Sequence, residues 1–125
     1  MGHFPSSASV QSLLHFAQST RDHNFALYKY PTDKENLDHY GQKDPPLIHP
    51  NNIRVPTAMF VGDVDDLGDL TDNRWARDTI NSGHNAVVHY EEIHAGHASF
   101  IVGIDMTWFD RAMELIGHYN HEGLL

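Results

Sequence analysis

The sequence predicts an α/β fold, on three observations. Two short apolar runs, "VPTAMFVG" ending at Gly62 and "NAVVHYEEI" ending at Ile93, have the length of buried strands rather than of helices. Between them, "TDNRWARDTINSG" reads as a helix. After them, "DMTWFDRAMELIGHYN" places Trp108, Ala112, Leu115 and Tyr119 about four apart, with Met113 and Ile116 beside them, as an amphipathic helix does. Strand, helix, strand and helix in that order imply a right-handed crossover and a parallel pair, residues 55–61 with 86–90. Parallel strands are ordinarily covered on both faces, and two strands alone cannot supply that cover. Further strands are therefore expected from elsewhere.

Ahead of this unit, "SASVQSLLHFAQSTRDH" reads as a helix with Ser9 as its cap, because Val10, Leu13, Leu14 and Ala17 fall at i, i+3, i+4 and i+7. From Phe25 to Ile53 the periodicity decays into Pro, Asp, Asn and charge, which predicts a long irregular excursion holding a short turn of helix. The crossover helix is expected to begin at a Thr71 cap and to stop at Gly83. Trp75, Phe100, Trp108 and Tyr119 are the expected core aromatics.

Composition narrows the function classes. A chain of 125 residues, 40% of them apolar, fills one modest core. Its formal charge of −9 disfavours nucleic acids and anionic membrane surfaces, which call for a cationic face. No apolar run approaches the ~18 residues of a membrane span, and "MGHFPSSASVQS" lacks the basic region and apolar core of a signal peptide. The absence of cysteine excludes disulfides and thiolate metal sites and leaves the compartment unread.

Three segments, "HFPSSASVQSLLHFAQS", "DPPLIHPNNIRVPTAMFVGDVDDLGDLTD" and "HAGHASFIVGIDMTW", carry a resemblance over nearly the whole chain. In their order and spacing they resemble the C-terminal portion of the gastric and lysosomal acid lipases, a family of α/β-hydrolases. The resemblance implies part of a helical cap over residues 1–52. Residues 53–125 would then be the end of the hydrolase core: its last two parallel strands, a crossover helix and a closing helix. It also implies a lysosomal or secreted setting for the family and no cofactor.

By the same resemblance, the family's acid run Asp-x-Leu-Ala-Asp corresponds to "DDLGD" within "GDVDDLGD", so that the catalytic acid is Asp65, and the family's His-Leu-Asp-Phe motif corresponds to "HASF", so that the base is His97. A serine hydrolase needs a base that takes the hydroxyl proton and a carboxylate that fixes the imidazole tautomer. The order, acid and then histidine on successive strand ends, is that of α/β-hydrolases. His94 receives no role. The chain contains no G-x-S-x-G, and Asp63, Asp66 and Ser99 depart from the family pattern at a glycine, beside the acid, and at an acidic position two after the histidine.

The acidic run also invites other readings. Counted from Asp63, a calcium loop would have Leu67 at its fifth position and Arg74 in place of glutamate at its twelfth, which excludes an EF-hand. His94 and His97 with Glu91 or Glu92 have weak metal-ligand spacing off a helix, and no metal is expected. Two functional classes remain. One is a fragment or subunit of an ester hydrolase acting on lipid esters, with a partner polypeptide carrying G-x-S-x-G. The other is an inactive lipase-derived scaffold or interaction subunit.

Overall fold

The computed structural model describes residues 9–122, so the beginning of the first lipase-like segment, His3 to Ala8, lies outside the described residues. Where length alone predicts one core, the chain divides into two compact units, Met1–His49 and Pro50–Leu125.

The first unit holds α1 (Val10–Asp22) and α2 (Asp33–Tyr40), with an isolated antiparallel bridge between Ala26 and Leu47. The expected irregular excursion thus contains a full two-turn helix. Its signal is the Thr-x-x-Glu of a capping box. Glu35 N–H donates to Thr32 Oγ1 at 3.2 Å and Thr32 N–H donates to Glu35 Oε2 at 3.1 Å. Gly41, at φ 71°, closes the helix by donating to Leu37 O. Asn36 is the hub of the unit: its buried amide accepts from Tyr30 N–H and donates to Tyr30 O and Thr32 O, at 2.8 to 3.0 Å. Each end of a buried amide needs such partners, and here both have them.

In α1 it is the polar side that makes the contacts. His15 Nε2 lies 2.9 Å from Ala26 O, and Gln18 clasps both the N–H and the C=O of Lys29. The polar side is thus tied to the following chain, while Val10 and Leu13 remain 71% and 62% exposed. Ser9 occupies the cap position without a side-chain cap bond.

In the second unit, β1 (Thr57–Gly62) and β2 (Val87–Ile93) form a two-stranded parallel sheet, joined by α3 (Leu70–His84) and followed by α4 (Ser99–Val102) and α5 (Thr107–Glu122). Val55 and Pro56 fall outside β1, and β2 extends three residues past the expected Tyr90. Glu91 and Glu92 can occupy a strand because each has a guanidinium partner. Arg111 on α5 bonds Glu91, and Arg74 on α3 bonds Glu92 at 2.6 and 2.7 Å. Successive strand residues point to opposite faces, so α3 and α5 lie on opposite sides of the sheet. On the α5 side Phe60 meets Trp108, with ring centroids 5.6 Å apart.

Two expected helix signals are corrected. The cap of α3 is Asp69, whose Oδ1 accepts from Thr71 N–H at 2.7 Å, and not Thr71 itself. Gly83 does not stop the helix, which runs to His84 and ends at Asn85 with φ 50°. Glycine stands there because a Cβ would lie 2.0 Å from Asn51 O in the 3-10 turn Pro50–Asn52. Trp75, expected in the core, is 51% exposed.

Among the described residues only Ala26, Val61, Ile80 and Ala86 are buried apolar side chains, while Ile101, Val102, Met113 and Ile116 stand open. An apolar surface of this kind drives association. Expressed by itself, the chain is expected to elute as oligomers or aggregates in size-exclusion chromatography. A monodisperse monomer with a sharp cooperative thermal transition would contradict this.

Candidate functional site

Two loops leave the carboxyl ends of the paired strands: residues 63–69 between β1 and α3, and 94–98 between β2 and α4. The register Gly62↔Ile93 sets them side by side. The ladder continues briefly into them, with Asp63 N–H donating to Ile93 O at 2.9 Å and Val64 N–H to Ala95 O at 3.4 Å. The approach is so close that a Cβ on Gly62 would lie 2.2 Å from Ala95 O. Only glycine admits this contact.

Asp65 is fixed from two sides. Its Oδ1 accepts from Leu67 N–H at 2.8 Å and from Gly68 N–H at 2.9 Å. Its Oδ2 lies 3.1 Å from His97 Nδ1. The Asp65 side chain is 8% exposed and that of His97 67%. The Gly68 amide first, then that of Leu67 and the His97 ring, hold the Asp65 carboxyl below its usual range, against the opposing effect of burial. An ionised carboxylate only accepts hydrogen bonds, so Nδ1 carries the proton when the ring is neutral and the Nε2 lone pair is left free. That arrangement suits a general base.

The other acidic residues separate by role. Asp69 caps α3. Asp63 pairs with His94, its Oδ1 and Oδ2 at 3.0 and 3.3 Å from His94 Nδ1, an arrangement that the motif reading missed. The signal was a second acid–histidine spacing, 31 residues beside the 32 between Asp65 and His97. Glu91 and Glu92 bond Arg111 and Arg74. Among the described residues no group of three or more His, Cys, Asp or Glu is placed to hold a metal ion. Ser99 accepts from Gly96 N–H at 3.1 Å through its hydroxyl, closing the turn that contains His97.

Comparison with known proteins adds a second line. Lysosomal acid lipase/cholesteryl ester hydrolase of Homo sapiens is 30% identical over 119 residues, which are 94% of this chain and 29% of that protein. Gastric triacylglycerol lipase of Rattus norvegicus is 32% identical over 105 residues, 84% of this chain and 26% of that protein. Over most of its length the chain is similar to the acid lipase family. Lipase member K of Mus musculus agrees, at 31% over 102 residues, 81% of this chain and 25% of that protein. The match is to the C-terminal portion of the acid lipases, and the chain spans under a third of the length of these relatives. No protein-family model matches it.

The Asp65 geometry fixes a pH dependence. A carboxylate whose folded pKa is depressed stabilises the fold above the unfolded aspartate value, about 3.9, and that contribution is lost as pH falls through the lower folded value. Followed by NMR through the Leu67 and Gly68 amide protons, Asp65 is expected to titrate below the ordinary aspartate range. A midpoint at or above that range would show that the two amide bonds do not hold the ionised form.

Proposed function

We propose that the chain is part of an acid-lipase-type ester hydrolase, to which it contributes Asp65 and His97 as acid and base of a Ser-His-Asp triad. The serine and the oxyanion donors lie outside it, in another segment or polypeptide, since no G-x-S-x-G occurs in the sequence. The observation that carries this reading is the 3.1 Å approach of Asp65 Oδ2 to His97 Nδ1 with the exposed ring's Nε2 left free. The names of the relatives, which speak of cholesteryl ester and triacylglycerol, support lipid esters as the substrate class.

In this reading residues 53–125 close an α/β-hydrolase core and residues 1–52 belong to its cap. The division of the chain after His49 and the parallel sheet with helices on both faces support it. The open stripe of α1 and the open apolar residues of α4 and α5 are the surfaces that the remaining polypeptide covers.

The chemistry follows from the pair. As the serine Oγ attacks the ester carbonyl carbon, His97 Nε2 takes its proton, and Asp65 stabilises the resulting imidazolium through Nδ1–H. The same proton passes to the departing alcohol as the C–O bond breaks and the acyl-enzyme forms. Water then repeats the sequence, its proton going to Nε2 and onward to the serine as the fatty acid leaves. Asp65 Oδ1 is engaged by two backbone donors, so Asp65→Asn keeps its oxygen there and turns its NH₂ toward His97 Nδ1. The imidazole is then driven to carry its proton on Nε2, the tautomer that cannot accept one from serine.

Ester turnover by the complete assembly tests this. His97→Ala is expected to lower kcat/KM by roughly 10⁴-fold or more, and Asp65→Asn by several orders of magnitude with assembly intact. Equal rates for wild type and His97→Ala, or no turnover of any short- or long-chain ester, would leave an inactive lipase-derived scaffold.

A further inference from the structure

We propose that Asp63 and His94 are a positioning pair, a second acid–histidine contact that holds the loop bearing His97 against the loop bearing Asp65; this rests on the hydrolase reading above.

The His97 ring is poorly packed, being 67% exposed, so its direction depends on Asp65 and on the backbone beneath it. That backbone has few anchors. The last backbone bond between the two loops, Val64 N–H to Ala95 O, is long at 3.4 Å, and beyond it, among the described residues, the backbone bonds of the turn run within the turn, through Gly96 and Ser99. Gly96, the residue directly before His97, brings more backbone freedom than any other residue type. His94 lies on the near side of that glycine. Its Nδ1 meets both carboxylate oxygens of Asp63, at 3.0 and 3.3 Å, so one N–H is shared by a two-oxygen acceptor. Asp63 is itself fixed by its N–H bond to Ile93 O at 2.9 Å. The second pair therefore pins the histidine loop one step from the point where the ladder gives out. It lies beside the catalytic pair and touches no reacting atom.

His94 is 84% exposed and Asp63 38%, so solvent weakens the contact and the expected effect is modest. In the ester-hydrolysing protein that includes this chain, His94→Ala is expected to lower kcat about fivefold at unchanged KM, the factor that corresponds to ~1 kcal/mol. Hydrogen exchange over residues 94–99 is expected to quicken, while that of β1 and β2 stays the same. Asp63→Ala should match it, and the double variant should add nothing further. His94→Asn keeps an N–H donor near the Nδ1 position and is expected to restore both kcat and protection. Unchanged exchange over 94–99 in His94→Ala, or no rescue by asparagine, overturns the proposal. Should His97→Ala leave ester turnover unaffected, the hydrolase reading fails on its own; the exchange measurement in the same variants still decides whether the pair holds the loop.

Discussion

The parallel pairing of β1 with β2 is the constraint on which the site depends. Its register ends with Gly62 beside Ile93, and the two loops that follow start less than a side chain apart. Asp65 and His97 are 32 residues apart in sequence, and closing such a segment by itself costs entropy for one hydrogen bond. The strand ladder and the crossover helix meet that cost, so the Asp–His contact adds orientation to loops that are already adjacent. A side chain at Gly62 would meet Ala95 O and crowd the Cβ of Asp65 at 3.2 Å, and so would disturb both loops at once.

How legible this was in the sequence differs from element to element. The order strand, helix, strand, helix could be read from the apolar runs, because the two runs pair as strands and Trp108 of α5 packs on Phe60 of β1. Helix ends were less legible. Thr71 and Asp69 both have cap chemistry, and only the folded chain shows that Asp69 takes the cap position. Gly83 has the look of a stop signal, yet its reason is long-range, the approach of Asn51 O. For α2 a local signal existed in Thr32 and Glu35, but it was hidden in a stretch too polar to show periodicity.

Within the site, the meeting of Asp65 and His97 follows from matching two family motifs. The pairing of Asp63 with His94 does not, because neither residue belongs to those motifs. It needed the register, which shows that residues directly past two paired strand ends become neighbours. The exposed face of α1 marks another boundary of what periodicity can say. Spacing predicts that Val10, Leu13, Leu14 and Ala17 share a side, and has no means of saying what covers it.

The Asp65 turn bears on how the site is put together in time. Both amides that hold Oδ1 lie within three residues of the carboxylate, so this half of the pair needs no distant partner and can close as fast as a local loop does, on the order of tens of nanoseconds. The histidine half must wait for the crossover helix and the strand ladder, which are non-local contacts and slower to form. The acid half can therefore form ahead of its base. A nascent chain that has emerged only as far as Gly68 contains every residue that the receiving end of the pair requires.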